Sequence, residues 1–282
     1  MLRKLNMQAA LALAMVLLTV VLAGCGQQAQ TVQQQEDKSR ELVMAHRGSS
    51  GSAPENTKAS VLKAIEDGAG YAEIDVQETR DGVVVLLHDD NLRRTANINK
   101  SIWEIDSSEA LKADVGAWYK PNFAGETLPA LEEIMKLAKG RIKLNIELKQ
   151  NGHQKQLAEK VVHLIEANQF ANECVVTSMD LGLVNTAKSL NSKLQAGWII
   201  DAKQQINDSI YDMKFEILSV KSTLIDQDMM NKAKQKGKRV MAWTVNDDAT
   251  AERMLALGID GIITNYPDRV LKLIAERKQA GS

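Results

Sequence analysis

In the stretch EIDVQETRDGVVVLLHDD, residues 73–90, three residues of chemically capable type sit in an apolar setting. Ile74, Val76 and the run Val83 to Leu87 are strand formers, and Asp81-Gly82 reads as a two-residue hairpin turn. Glu73 and Asp75 interrupt the first arm and His88 closes the second. A charge near a core is costly unless something pairs with it. With only Asp81 and Gly82 in the turn, Arg80 faces Val83 and Asp75 faces His88, a cross-strand pair with Cβ atoms about 4.5–5.5 Å apart. Glu73 shares their face, because strand side chains alternate.

Other reactive residue types fall at the ends of other apolar runs. His46-Arg47 closes one, Glu147 and Lys149 close a second, and Trp243 nears the end of a third. The runs read as eight strands, at 42–46, 71–76, 142–148, 173–178, 195–200, 215–220, 239–245 and 260–264. Helical periodicity separates them, at 57–67, 129–139, 154–168, 180–190, 226–237, 247–257 and 267–278, and is weak after residue 200. Eight alternating units over roughly 240 residues have the size and rhythm of an α/β (β/α)8 TIM barrel. An open doubly wound sheet is the rival arrangement. The run 83–88 is left out of the eight, because a two-residue turn cannot carry a parallel crossover. Residues 91–127 are long for a plain connection, and read as an insertion after the hairpin, anchored by Trp103, Trp118 and Phe123.

In such a barrel the carboxyl ends of all strands face one mouth, where active sites are built. Two histidines, three carboxylates and two cationic side chains then meet there. The carboxylates Glu73, Asp75 and Glu147 would repel one another unless a cation holds them, and an all-oxygen set suits Mg2+ or Ca2+ better than zinc. Arg47 offers a planar fork and Lys149 a point charge, which together suit a phosphate. Taken singly, His88 could cap a turn, Glu147 could pair with Lys149, and Trp243 could be core; the convergence at one barrel end favours a site. His153 and His163 fall outside the mouth, on surface positions, and Cys174 reads as a small buried apolar residue.

The chain has 282 residues, 44% of them hydrophobic, and a formal net charge of -1, which supports a large core and gives no basic surface for nucleic acid. The N-terminal segment has a different character. Arg3 and Lys4 precede an apolar stretch from Met7 to Gly24, ending Leu22-Ala23-Gly24-Cys25. This resembles a bacterial lipoprotein signal, 1–24, with Cys25 as the lipidated first residue and 25–40 as a Gln-rich flexible tether to the domain at 41–282. The alternative is an uncleaved span, since 18 apolar residues are at the lower limit for crossing a bilayer. Lipidation would place the protein outside the cytoplasm, anchored on a membrane.

In order along the chain, AHRG, APENT, EIDVQETRDGVVVLLHDDNLRRT, LPALEE, IELK, AWTVN and GIDGIITNYPD resemble the successive motifs of the glycerophosphodiester phosphodiesterase family, from about residue 43 to 270. The resemblance implies a (β/α)8 barrel with a short insertion after the second strand's hairpin. It implies that His46 and His88 are the general acid/base pair and that Glu73, Asp75 and Glu147 bind a divalent cation, commonly Ca2+ or Mg2+. Arg47 and Lys149 would neutralise the phosphate, Trp243 would line the substrate side, and Glu55-Asn56 would shape the loop. Departures from the family pattern are Ser49-Ser50 where a second Gly is common, Ala130 for Thr, and Asn265 for Asp.

The expected activity is metal-dependent hydrolysis of glycerophosphodiesters to sn-glycerol 3-phosphate and an alcohol. The sequence does not separate the roles of the two histidines; His46 is assigned the base. Rival readings are a lysophospholipase D-like phosphodiesterase and a lipid-anchored solute-binding protein, which would need neither the paired histidines nor the three carboxylates. A serine hydrolase is set aside, as GSSGS lacks the G-x-S-x-G spacing.

Overall fold

A computed structural model describes residues 37–280. The proposed signal, Cys25 and most of the proposed tether lie outside the described residues. Residues 37–40, expected to be tether, are instead helical together with 41. Among the described residues no helix is long and apolar enough to cross a membrane.

Nine strands form one sheet: β1 Val43–Ala45, β2 Tyr71–Glu78, β3 Val84–Leu86, β4 Lys143–Leu148, β5 Cys174–Ser178, β6 Gln195–Ile200, β7 Ile217–Lys221, β8 Arg239–Trp243 and β9 Gly261–Thr264. β1 pairs in parallel with both β2 and β9, which closes the ring and excludes the open doubly wound sheet. The eight expected strands are the eight staves of the barrel. β3 stands outside the ring, antiparallel to β2. β2 has room for it because β1 covers only Tyr71 and Ala72, leaving the edge of Val76 to Glu78 open to the returning arm.

Helices Lys58–Glu66, Leu131–Ala138, Leu157–Ala167, Leu181–Leu190, Gln227–Gln235, Asp248–Ala256 and Pro267–Ala280 wrap the ring. Between β6 and β7 two 3-10 turns, Lys203–Gln205 and Asp208–Asp212, replace a helix, which accounts for the weak periodicity there. Strand alternation sorts the side chains. Ala72, Ile74 and Val76 of β2 and Leu144, Ile146 and Leu148 of β4 point outward to the helices. Fully burying an aliphatic side chain such as Ile74 contributes about 1.5–3 kcal/mol. Met44, Tyr71, Val175, Ile217, Met241 and Ile263 pack together in a separate apolar cluster, against which Trp243 rests. The same period sends Glu73 and Asp75 in with Tyr71, and Asn145 in with Glu147.

The insertion is anchored mainly by aliphatic residues, with Trp103 alone of the three expected aromatic anchors packed against them. Leu92, Ile102, Ile105, Ala110, Val115 and Leu128 pack against Val85 and Leu87 of the returning arm. Trp103 is half-buried against this cluster and stacks on exposed His153, with ring centroids 4.1 Å apart. Trp118 is 40% exposed, and the half-buried Phe123 packs edge-on to Tyr119. Cys174 is buried, and burial pushes its thiol up to about 12.

Candidate active site

At the end of β1 the backbone doubles back. Arg47 has φ 54° and Gly48 φ 73°, and a Cβ on Gly48 would lie 2.4 Å from Ser60 Oγ. A left-handed arginine is a strained position, of the kind held in place by its surroundings at functional sites. Here the turn lets Arg47 N donate to Glu73 Oε2 at 2.9 Å and Gly48 N donate to Glu73 O at 3.0 Å. His46 is held through Nδ1, which donates to Asn265 Oδ1 at 2.7 Å, and its Nε2 lies 3.9 Å from Glu73 Oε2. Burial and then the neighbouring Arg47 charge push the His46 imidazole down to about 4. It is neutral at physiological pH.

Glu73, Asp75 and Glu147 each place one carboxylate oxygen within 4.8 Å of the others. Parallel pairing of β2 with β4 sets Asp75 beside Glu147. Burial pushes the Glu73 carboxyl well above its ordinary range, with Asp75 and Glu147 adding to the effect. Burial, and then Asp75, push Glu147 to about 7. Burial acts the same way on Asp75, but Lys149 and Arg47 outweigh it and hold that carboxyl below its usual range. Lys149 Nζ lies 2.9 Å from Glu147 and 3.5 Å from Asp75. Two of the three acids are therefore under-compensated by the protein alone. An all-oxygen, buried set of this kind fits a hard divalent cation.

The hairpin register differs from expectation by one residue. The turn has three residues, Arg80, Asp81 and Gly82, with Gly82 at φ 82°, and Thr79 N donates to Val83 O at 3.0 Å. Asp81 is not free to form a two-residue turn, because its carboxylate accepts from Thr79 Oγ1 and from Ser107 N and Oγ. Leu87, not His88, therefore faces Asp75, with Leu87 N donating to Asp75 O at 3.0 Å. Had the ladder continued, His88 would point away from the mouth. It does not continue. The fully buried Gln77 Nε2 donates to the carbonyls of Leu87, His88 and Asp89 at 3.0, 3.3 and 2.7 Å, and this loop turns His88 into the cavity. His88 Nδ1 then meets Asp89 Oδ1 at 2.9 Å, leaving Nε2 toward the mouth.

Every site residue expected from the described part of the chain lines this one cavity, of about 90 Å³. Trp243 forms a wall with Met179 and Ile199, its Nε1 donating to Ser219 O at 3.1 Å. Several supports were not foreseen. Asn56, at φ 56°, grips Asp75 twice: Nδ2 donates to Oδ2 at 2.8 Å, and Oδ1 accepts from Asp75 N at 3.1 Å. Gln77, Asp89 and Asn265 each hydrogen-bond one of the two histidines, Arg94 donates to Asp89, and Glu55 accepts from Arg47 Nη1 at 2.9 Å. The Asn-for-Asp departure at 265 was visible in the sequence, but not its contact with His46. His153 and His163 are exposed and away from the cavity, as expected.

Residues 46–269 match the model of the glycerophosphoryl diester phosphodiesterase family. The chain belongs to that family. A glycerophosphodiester phosphodiesterase of Caldanaerobacter subterraneus subsp. tengcongensis is 30% identical over 245 residues, spanning 83% of this chain and 97% of the relative. An Oleispira antarctica phosphodiesterase, solved in complex with the product sn-glycerol-3-phosphate, superposes with a TM-score of 0.77 at 29% identity. That match covers 83% of this chain and 96% of the other. A glycerophosphodiester phosphodiesterase from Parabacteroides distasonis gives 0.73 at 27% identity, covering 85% and 99%. The family's barrel and this barrel coincide.

Proposed function

We propose that this chain hydrolyses glycerophosphodiesters to sn-glycerol 3-phosphate and an alcohol, with His46 as general base, His88 as general acid and a divalent cation at Glu73, Asp75 and Glu147. The observation that carries the reading is the pair of differently partnered histidines flanking three clustered carboxylates in one cavity. Ca2+ or Mg2+ held there would supply positive charge to the phosphoryl oxygens.

The protein's own groups divide the remaining work. Arg47 Nε is buried 3.4 Å from Asp75 Oδ2 but makes no hydrogen bond, and a phosphate oxygen would satisfy it. Lys149 adds a second positive charge on the same side. His46 is neutral, with Nδ1 engaged by an amide oxygen, so Nε2 is free to take the proton of the glycerol hydroxyl that attacks phosphorus. His88 is backed by a carboxylate, which compensates an imidazolium where an amide would not, so its Nε2 donates to the departing alcohol oxygen. The attack forms a cyclic phosphate and breaks the bond to the alcohol. Water then opens the ring with the proton roles reversed.

The same proposal places the enzyme outside the cytoplasm on a lipid anchor at Cys25. Its support is the basic start, apolar run and Leu-Ala-Gly-Cys of the sequence. The reaction is tested by following glycerophosphocholine and glycerophosphoethanolamine with 31P NMR. Accumulation of sn-glycerol 3-phosphate from either substrate supports it, and phosphocholine as the product would overturn it, since the other ester bond would have broken.

A further inference from the structure

Arg94 lies behind the cavity wall, in the short helix Arg93–Ala96 at the start of the insertion. Its guanidinium nevertheless meets two carboxylates, each of which backs a residue of the mouth. Nε and Nη2 donate to Asp89 at 2.8 and 3.1 Å. Nη1 and Nη2 donate to Glu55 at 2.8 and 2.6 Å. Asp89 in turn engages His88 Nδ1, and Glu55 engages Arg47 Nη1. One planar fork is thus bidentate toward both acids, a geometry that a lysine point charge cannot reproduce. The ring of Trp118 lies 5.3 Å from Arg94 Cζ, and the Arg94 side chain stays 39% exposed.

We propose that Arg94 is a positioning residue for the reaction. Through Asp89 it holds the His88 ring with Nε2 toward the leaving alcohol, and through Glu55 it aims Arg47 at the phosphate. The insertion, on this view, sets the geometry of the acid and of the phosphate clamp. The inference rests on the assignment of His88 as general acid. Partners one layer behind a reacting group typically matter by about 10–100-fold. The bland alternative is that Arg94 pins the insertion to the barrel and does nothing else.

Two substrates separate these cases. Glycerophosphoethanolamine releases an alkoxide that needs a proton, whereas the 4-nitrophenyl ester of sn-glycerol 3-phosphate releases a phenolate that does not. Arg94→Met keeps an apolar stem over Trp118. It should lower kcat for the ethanolamine ester by about 10–100-fold, leave kcat for the nitrophenyl ester near wild type, and raise KM for both by the same factor. Asp89→Asn should show the same leaving-group dependence without the shared KM rise, and it covers the case in which Arg94→Met does not fold. His88→Ala is the reference.

An equal loss of kcat on both substrates in both variants, or no loss on either, overturns the inference and leaves the family reaction standing. If His88→Ala shows no preference between the substrates, the acid assignment falls and takes this inference with it. Wild-type protein inert toward both would instead overturn the proposed reaction.

Discussion

Cation binding at the mouth should release protons, by an amount the site itself sets. A carboxylate must be deprotonated to ligate, so any proton held by the cation-free cluster leaves on binding. Glu147, pushed to about 7 by burial and by Asp75, is half protonated at pH 7 and contributes about half a proton. Glu73 is pushed well above its ordinary range and adds up to one more. Asp75 is held ionised by Lys149 and Arg47, and His46, at about 4, is already neutral; neither contributes. Calorimetric titration with Ca2+ at pH 7, in buffers of different ionisation enthalpy, should therefore report release of about 0.5–1.5 protons. Affinity should weaken as pH falls, and the release should shrink by pH 9 as Glu147 ionises beforehand. In Glu73→Gln the release should drop to the Glu147 share, with weaker binding.

Thermal stability is a poorer readout of the same linkage. A raised Glu147 binds more protons folded than unfolded between pH 4.5 and about 7, so its contribution is lost as pH rises through that window. Its shift of 7 − 4.5 corresponds to about 3 kcal/mol. His46, lowered from 6.5 to about 4, has the opposite sign: its contribution is present above 6.5 and is lost as pH falls toward 4. The two overlap and largely cancel. Zero proton release at pH 7, or release that grows with pH, would refute the coupled carboxylate cluster.

His88→Ala should lower kcat by ~10²–10⁴ with little change in Tm, since the side chain is 34% exposed; His46→Ala should lower kcat comparably, and the double variant should lose less than the product of the two. Steady-state kinetics that leave His88→Ala near wild type would contradict the pairing. Ala130 is the uncapped N-cap of helix Leu131–Ala138, with Glu133 at the third helical position, so Ala130→Thr completes a capping box. A gain of about 1 kcal/mol should appear as a Tm higher by about 2–4 °C in calorimetry, and an unchanged Tm refutes it. Cys25→Ser should abolish fatty-acid labelling in cells, and equal labelling of wild type and variant would remove the lipoprotein proposal.

The barrel was legible because its signals are local. Each stave is a short apolar run bounded by helical periodicity, and alternation alone sends Glu73 and Asp75 inward beside outward Ile74. The hairpin shows where locality ends. Asp81-Gly82 has the composition of a two-residue turn, but Ser107, 26 residues away, engages Asp81 and the loop takes three residues. His88 was still placed at the mouth, for a different reason: Gln77 captures the carbonyls around it. Asn56, Arg94 and Asn265 act over separations of 19, 39 and 219 residues, which no short-range pattern encodes. Of the insertion's expected anchors Trp103 packs against its cluster, but Trp118 and Phe123 do not, and aliphatic residues fill the interior.

The central claim is that the cavity at the barrel mouth cleaves glycerophosphodiesters with a cation held by three carboxylates. The direct measurement is release of sn-glycerol 3-phosphate from glycerophosphoethanolamine by chelator-treated protein, titrated with Ca2+ and, separately, with Mg2+. The account predicts no turnover in the treated protein, saturable recovery with at least one of the two ions, and little or no recovery in Glu73→Gln at the same ion concentrations. Full turnover in the metal-free wild type, or recovery in Glu73→Gln equal to wild type, would contradict it.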